Sequence, residues 1–501
     1  MTKNKIFMTS IKVIPYLFMC CSILNCTNLY AQELTDKSRA NADTILYVRK
    51  NTASPEAFAD LKALEKAIGI MKSLPCDSPL SWYYQGAMHS IPDTILNGNP
   101  LCPGVITIRD TLAGWHSCPH YGEEEINFLT WHRLFIWHFE KIIRKLSGKK
   151  DFALPYWDYT NPETRMLPAI FRDSSSPLFE PARQEGLNRG KTIEHDLNNS
   201  LLTTNPDSMR LYQLFNHSLN QSPHSPIHLV VGGWNSDSAL IKNMWNEIYQ
   251  KNTTGLMWEF QSAAFDPIFW VHHSNVDYLW HRWELSVNGA LPIPDSLKAH
   301  PWPYIFFDEN DGHRIVYSME EVASKINSLD YVYDVLINKT MHAEARTASH
   351  PVILAEAAVA KVVTSINFAF AIRIPATPVQ MANRITPKRK QLFILEVTAT
   401  YKQQPIGIYE LYLEKGGKSL PLGFLTFLGA HHHGKKPLDQ MQDMKNMDRI
   451  DEEEERIFQF DLSQKFNFSG FNGNLHFRLL RQGGRSSEIA IKKMILKSMK
   501  L

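Results

Sequence analysis

Two histidines stand next to each other in AFDPIFWVHHSNVDYLW, residues 264–280. The apolar pattern around His272 and His273 predicts a buried helix over residues 262–285. Burying an imidazole costs free energy unless its ring nitrogens find partners. This pair therefore constrains the fold, because the helix must lie in a core that offers its imidazoles something to bind.

Further histidines occur in apolar or aromatic surroundings before residue 290: His89, His116, His120, His132, His224 and His228. A single such residue is usually an ordinary core histidine with its hydrogen bonds satisfied. Six or more on separate predicted helices instead indicate a metal site. Imidazole sets without carboxylate or thiolate favour copper, with zinc next. Six such ligands in two groups of three could hold two metals.

The stretch HSPIH places His224 and His228 four residues apart, which puts two imidazoles on one face of a helix. Pro226 fits if that helix begins there, with Ser225 as its N-cap. No glutamate follows His224, so the zinc-protease motif HExxH is excluded.

The pattern of apolar residues changes near residue 350. Helical periodicity runs through residues 56–73, 126–146, 239–252 and 262–285, whereas residues 393–400, 406–414 and 475–480 read as strands. The sequence therefore predicts an α+β multidomain protein, with a helical domain first and a β-rich domain second. A net charge of +2 argues against nucleic acid or an anionic membrane surface as the main partner.

The N-terminus has the pattern of a secretory signal peptide. Lysines flank an apolar run over residues 11–24, and a plausible cleavage site follows Ala31. The prediction is a secreted or periplasmic protein with no membrane association beyond export. Three cysteines remain after residue 31, so at least one has a fate other than a disulfide within the chain.

Several motifs resemble the type 3 copper oxidases, the family of tyrosinase and catechol oxidase. These are FLTWHRLFIWHFEKII, LPYWDYTNP, SPHSPIHLVVGGW and SAAFDPIFWVHHSNVDYLWHRW, which occur between residues 80 and 290 in the order of the family. Residues 301–334, and more faintly 385–482, resemble the plant-type polyphenol oxidases. The resemblance implies a di-copper domain built on a four-helix bundle over 32–290, a middle segment over 291–345 and a β-sandwich-like domain over 346–501.

Carried over by motif, the resemblance assigns one copper to His89, His120 and His132 and the other to His224, His228 and His273. His116 is the alternative to His120, because three glutamates lengthen the gap to His132. The sequence also names residues that support the ligands without binding metal: Cys118, Arg133, Asn220, Ser225, His272 and Asp277. Asp277 could orient Arg133 or a ligand imidazole, and His272 could pack or form a hydrogen bond. Cys118 has two alternatives, a thioether to His120 as in several relatives or a disulfide with Cys102 or Cys76.

The function that the resemblance implies is oxidation of o-diphenols to o-quinones by dioxygen at two copper ions, with a small phenol as substrate. Relatives that hydroxylate monophenols often have a glutamate and an asparagine where this chain has Asn220 and Ser225. Weak or absent monophenol hydroxylation is therefore expected. The alternatives are an o-aminophenol oxidase, a haemocyanin-like dioxygen-binding protein and a structural zinc domain. In relatives the C-terminal domain covers the copper site and keeps the enzyme latent; here it could also be purely stabilising.

Overall fold

The computed structural model describes residues 46–90, 118–119, 122–184, 186–193, 212–233, 244–287, 304–337, 352–374, 391–402, 405, 407–428, 453–463, 465–468, 471–482 and 488–500. The described residues from Val48 onward form one compact unit. The predicted signal peptide lies outside the described residues, as do His116, His120 and Cys102.

The α-helices are α1 (Phe58–Ser73), α2 (Trp82–His89), α3 (Phe128–Ser147), α4 (Ala169–Arg172), α5 (Tyr212–Leu219), α6 (Ser225–Val231), α7 (Ile268–Val287) and α8 (Met319–Ile326). Local sequence explains where several of them begin and end. Ser81 caps α2 by accepting a hydrogen bond from the amide of Tyr84. Gly148 ends α3 in the left-handed region, with φ of 77°, which glycine adopts without steric cost.

The helical core is built around α3, which contacts α1 on one side and α7 on another. Its side chains are buried along almost its whole length, including Trp131, Phe135 and Phe139. Trp270 of α7 stacks on Phe139 with ring centroids 3.5 Å apart. Such large aromatic contacts fix the spacing of the two helices. The two helices that carry His132 and the His272–His273 pair are therefore held side by side.

One predicted helix is wrong. The periodicity of residues 239–252 predicted a helix, but β2 (Met244–Asn246) and β3 (Lys251–Thr253) pair there as an antiparallel hairpin. The carbonyl oxygen of the Asn246 side chain accepts hydrogen bonds from the amides of Ile248 and Tyr249. Gln250 adopts a positive φ of 50°. Local turn chemistry of this kind competes with helix formation and overrides a weak periodicity.

A middle segment covers part of the helical core. The strands β4 (Tyr304–Phe307) and β5 (Arg314–Tyr317) form a hairpin, and β4 contacts α3. The strand β6 (Tyr331–Tyr333) pairs with β1 (Tyr47–Arg49). This pairing brings the buried side chain of Arg49 to the tyrosines of β6, where both meet α7.

The C-terminal strands form two four-stranded antiparallel sheets. The strands are β7 (Val352–Val362), β8 (Asn367–Ile374), β9 (Gln391–Tyr401), β10 (Ile408–Lys415), β11 (Lys418–Leu425), β12 (Glu454–Asp461), β13 (Gly473–Gln482) and β14 (Ala490–Lys500). Their spatial orders are β11–β10–β13–β8 and β12–β9–β14–β7. Apolar side chains of both sheets share one core, including Leu395 and Leu411. The predicted order of a helical core followed by a β-rich domain is confirmed.

The two C-terminal sheets contact the helical core at the segment that contains His224. The strand β12 contacts α5, and β11 contacts residues 220–224, the segment that leads from α5 into α6. Among the described residues, no helix has the length and hydropathy needed to span a bilayer.

The end of α6 depends on close backbone approach at Gly232. A Cβ atom there would lie 2.3 Å from the amide nitrogen of Trp258. We therefore expect Gly232→Ala to lower the free energy of unfolding by about 1–3 kcal/mol, because the two segments must separate. The matched control is Gly69→Ala within α1, where the nearest atom lies 3.6 Å away. That change should stabilise the protein by up to about 1 kcal/mol, since alanine is the better helix former. Thermal unfolding of both variants tests the contrast, and equal effects would contradict it.

Candidate metal centre

Histidines from four helices meet in the core. His89 ends α2, His132 lies in the first half of α3, His224 precedes α6, His228 lies within α6, and His272 and His273 lie in α7. The ring of His273 stacks on that of His132 with centroids 4.1 Å apart and planes 4° from parallel. The rings of His224 and His228 lie 5.0 and 5.8 Å from His273. His89 completes the group, 5.7 Å from His132.

Among the described residues, the donor atoms of the buried histidines fall into two groups that could each hold a metal ion, and a third group, Asp308, Asp311 and His313, is largely exposed. In one, the ligand atoms of His224, His228, His272 and His273 all lie within 4.8 Å of one another. In the other, the atoms of His89, Cys118 and His132 satisfy the same limit. Five of the six histidines assigned as ligands from the sequence are thus brought together. The sixth, His120, lies outside the described residues and stays a prediction.

Backbone carbonyls select the tautomer of four of these rings. The Nδ1 atoms of His89, His132, His224 and His228 lie 3.2, 2.8, 3.3 and 3.0 Å from the carbonyl oxygens of Phe260, Phe128, Asn220 and Met257. A carbonyl oxygen only accepts, so each Nδ1 carries the hydrogen and donates it. The lone pair of each neutral ring is then on Nε2. This is the arrangement by which metal-binding histidines are oriented in proteins.

Burial keeps these imidazoles uncharged. It lowers the pKa of His132 to about 3 and that of His228 to about 4, in each case mainly by desolvation. The pKa of His273 is also well below its ordinary value because the ring is buried among other imidazoles. His228 Nε2 and both ring nitrogens of His273 have no hydrogen-bond partner among the described residues. Neutral, buried and unpartnered nitrogens that face one another fit a metal site of imidazole ligands.

The adjacent histidines of α7 have different surroundings. His273 contacts rings of both donor groups, whereas His272 contacts His224, His228 and Tyr159. His272 has no hydrogen-bond partner among the described residues, so the packing role expected for it is present and the hydrogen bond is absent. His273 is the ring that joins the two groups.

Asp277 lies one helical turn beyond His273 and holds an ion cluster behind the metal ligands. It accepts hydrogen bonds from Arg133 Nε at 2.5 Å and Arg49 Nη1 at 3.0 Å. The hydroxyl groups of Tyr331 and Tyr333 also donate to it, at 2.5 and 2.7 Å. Burial alone would raise its pKa, but the two guanidinium groups lower it below the ordinary value. Asp277 is thus in contact with Arg133, the side chain that the sequence analysis named as one it could orient.

Sequence reasoning missed the partners of this cluster. Arg49 Nη2 donates to Glu140 at 2.7 Å, and Nη1 and Nη2 of Arg133 donate to Glu284 at 3.0 Å each. These side chains lie far apart in the sequence, so no local motif joins them. Two tyrosines separated by one residue, in DYVYD, were the only visible signal.

The positions next to His224 also differ from expectation. Ser225 was predicted to cap α6, but it is the first residue of that helix, and its hydroxyl group donates to the carbonyl oxygen of Asn220 at 2.7 Å. The side chain of Asn220 donates to Glu125 Oε1 at 2.7 Å, and His217 Nδ1 lies 2.8 Å from Glu125 Oε2. The sequence did not single out Glu125. Burial raises its pKa, but the stronger combined effect of His217 and neighbouring groups lowers it.

Cys118 forms no disulfide, so that alternative is wrong, and the thioether to His120 stays a prediction because His120 lies outside the described residues. Cys76 is disulfide-bonded, to a partner outside the described residues. The Sγ atom of Cys118 lies 3.3 Å from His132 Nε2, the nitrogen that carries the lone pair. Burial raises the pKa of this thiol well above its usual range.

Part of the sequence matches known proteins. A family model described as the common central domain of tyrosinase matches residues 79–212 and 187–286. A chloroplastic polyphenol oxidase of Malus domestica is 28% identical, over 49% of this chain and 42% of its own. Aureusidin synthase of Antirrhinum majus is 27% identical, over 57% and 52%. A tyrosinase of a Hahella species is 26% identical, over 54% and 59%. The chain thus spans about half the length of the curated relatives it matches.

Solved structures share the fold over nearly the whole chain. A latent aurone synthase superposes with a TM-score of 0.62 at 18% identity, covering 92% of this chain and 90% of the other. A latent apple tyrosinase gives 0.59 at 18%, covering 91% and 98%. The family carries a binuclear copper centre, and the histidine groups described above can bind metal. The chain is therefore similar to tyrosinases and polyphenol oxidases, and its helical part matches the common central domain of tyrosinase.

Proposed function

We propose that this protein oxidises o-diphenols to o-quinones with dioxygen at two copper ions. The observation that carries the proposal is the convergence of five buried imidazoles, His89, His132, His224, His228 and His273, from separate helices. Sets of neutral imidazoles suit copper. Burying so many imidazoles in a protein core costs free energy unless a ligand such as a metal ion binds their nitrogens. The names of the relatives, among them polyphenol oxidase and catechol oxidase, support the same reaction class.

The reaction balances without any group beyond the metals and dioxygen. Each catechol gives up two electrons and two protons to become an o-quinone, and two catechols together reduce one dioxygen to two waters. Copper, when bound, supplies the electron transfer between the two substrates. The protein holds the ligands in fixed tautomers through the four backbone carbonyls and keeps water from the site with aromatic rings such as Phe128 and Phe269.

Removal of a ligand tests the metal assignment. We expect His228→Ala and His273→Ala each to lower catechol-dependent oxygen uptake at least about 100-fold, because even residues that only support a metal ligand change activity by 10–100-fold. Bound copper should fall with activity. The matched control is His476→Ala, since that exposed histidine of β13 belongs to none of the donor groups found among the described residues. Full activity in the ligand variants, or equal loss in the control, would contradict the assignment.

Measurements of oxygen uptake also distinguish the proposed diphenol oxidase from the alternative functions. An o-aminophenol oxidase would consume oxygen faster with an o-aminophenol than with catechol. A dioxygen-binding protein would bind oxygen reversibly and consume none with either. A protein that binds zinc and remains inert after reconstitution with copper and air would exclude the diphenol oxidase, the o-aminophenol oxidase and the dioxygen-binding protein.

Monophenol hydroxylation is proposed to be weak or absent. The phenol must lose a proton before it reacts, and Asn220 and Ser225 offer no base for it. Glu125 is a carboxylate in contact with Asn220, but Asn220 and His217 occupy its oxygens and its pKa is lowered. A carboxylate whose charged form is already stabilised is a weak proton acceptor.

Kinetics with matched substrates test this point. A well-placed general base contributes about 10²- to 10⁴-fold, so we expect tyramine to be hydroxylated at least about 100-fold more slowly than dopamine is oxidised, after a lag. The variant Glu125→Gln should leave dopamine oxidation unchanged within a factor of about three. Fast hydroxylation of tyramine without a lag would refute the proposal.

We further propose the division into a signal peptide over 1–31, a di-copper domain over 32–290, a middle segment over 291–345 and a β-rich domain over 346–501, in an exported protein. The sandwich is proposed to restrict the site, because β11 and β12 contact residues 220–224 and α5, next to His224. Relatives of this fold are named as latent.

Proteolysis tests the restriction. A protease site inserted between Ile337 and Val352 should, after cleavage and release of the sandwich, raise catechol-dependent oxygen uptake several-fold. The unmodified chain treated with the same protease is the control. Unchanged or lower uptake after release would mean that the sandwich only stabilises the protein.

A further inference from the structure

His138 is a buried histidine that belongs to none of the donor groups of the metal centre. It is 2% exposed and lies in α3, the helix that also carries His132. Its Nε2 atom is 3.0 Å from the hydroxyl oxygen of Tyr317 in β5, and its Nδ1 atom has no hydrogen-bond partner among the described residues. We propose that Tyr317 and His138 form a redox-active pair, which supplies electrons to the copper centre when no phenol is bound. The inference rests on the proposed function.

Aromatic rings connect this pair to the metal centre. The indole ring of Trp131 lies 4.9 Å from the ring of His132 and 6.1 Å from that of Phe306. Phe306 stacks on His138, with centroids 4.7 Å apart and planes 14° from parallel, and its ring lies 6.2 Å from that of Tyr317. Tryptophan and tyrosine are among the side chains that lose one electron most readily. Trp131 can therefore relay an electron from Tyr317 toward His132.

The contact between Tyr317 and His138 gives the proton of the phenol a place to go. Burial, with Lys141 and Lys325 nearby, holds the pKa of His138 well below its usual value, so the ring is neutral. With the ring hydrogen on Nδ1, Nε2 has the lone pair that accepts the hydroxyl hydrogen of Tyr317. Burial and then Glu321 raise the pKa of Tyr317 to about 12, so the phenol keeps this hydrogen until it is oxidised.

The electron and the proton leave Tyr317 in different directions. Dioxygen needs four electrons to become two waters; two Cu(I) ions hold two of them, and in the proposed reaction a phenol supplies the others. Without a phenol, Tyr317 gives one electron by way of Trp131, and its hydroxyl proton moves to Nε2 of His138. The products are a neutral tyrosyl radical and an imidazolium. This transfer is favourable even to a buried ring, because an oxidised phenol is a far stronger acid than an imidazolium.

A reductant of the ascorbate or thiol class restores the tyrosine. Tyr317 is half-buried, so part of its side chain is open to such a molecule in solution. The reductant gives one electron to the radical, and the proton held by His138 returns to the phenol oxygen. Two such rounds deliver the two missing electrons, and dioxygen leaves as water with protons drawn from solution. The pair thereby protects the buried imidazoles from partly reduced oxygen between substrates.

Rapid freeze-quench electron paramagnetic resonance tests the proposal on the full chain loaded with Cu(I). After mixing with dioxygen without a phenol, we expect a tyrosyl radical signal that is absent in Tyr317→Phe and reduced in His138→Phe. The matched control is Tyr412→Phe, which alters a half-buried tyrosine of β10 and should keep the signal. Catechol-dependent oxygen uptake should be unchanged in Tyr317→Phe, because that side chain belongs to neither group of metal-binding histidines.

Photochemical oxidation measures the pair without the metal. A ruthenium(III) complex generated by a laser flash oxidises tyrosines of the full copper-free chain, and comparison with Tyr317→Phe isolates the rate at Tyr317. A well-placed proton acceptor contributes about 10²- to 10⁴-fold, so this rate should be at least about 100-fold lower in His138→Phe. Phenylalanine retains a ring that can stack on Phe306, so the loss reports the missing nitrogen.

The outcomes separate the inference from the proposed function. A copper-loaded protein that oxidises catechol but forms no tyrosyl radical, or a radical that persists in Tyr317→Phe, would overturn the inference and leave the oxidase intact. An equal rate of photo-oxidation in His138→Phe and the natural chain would also overturn it. Failure of the copper-loaded natural protein to oxidise catechol would overturn the proposed function itself.

Discussion

The site depends on hydrogen bonds from four imidazole Nδ1 atoms to backbone carbonyl oxygens. In His132 the acceptor is Phe128, one turn earlier in the same helix, and in His228 it is Met257 in a separate segment. A buried neutral imidazole could carry its hydrogen on either nitrogen. The carbonyls remove that freedom, because an oxygen that only accepts forces the hydrogen onto Nδ1. The lone pair of each of these four rings is then on Nε2, away from the carbonyl that holds Nδ1.

A second constraint holds the helices that present these rings. Arg133 of α3 is bound by Asp277 and Glu284 of α7, and its guanidinium lies 3.4 Å from the ring centroid of Trp280. Burying such charges is costly unless each is paired and hydrogen-bonded, and here each carboxylate receives several donors. The cluster lies one turn from His273. It fixes the register of α7 on α3 and with it the 4.1 Å stacking of His273 on His132.

The sandwich and the metal centre meet through α5 and the segment after it. Glu125, His217 and Asn220 form a polar group at this junction, and the carbonyl oxygen of Asn220 accepts a hydrogen bond from the ring of His224. A shift of this segment would therefore move a metal-ligand candidate directly. The junction gives the C-terminal sheets a physical route to the site that does not require them to fill it.

The sequence by itself determined the helices around the buried imidazoles and named five of the histidines that converge there. Apolar periodicity around His132 and His273 is local information, and so is the i, i+4 pair in HSPIH. The tertiary structure decided what lies opposite them. It placed Cys118 on His132, joined Arg49 to Asp277 and set Glu125 beside Asn220. It also replaced the helix predicted over 239–252 with a hairpin. These outcomes depend on pairs far apart in the chain or on turn hydrogen bonds, and neither leaves a periodic signal in the sequence.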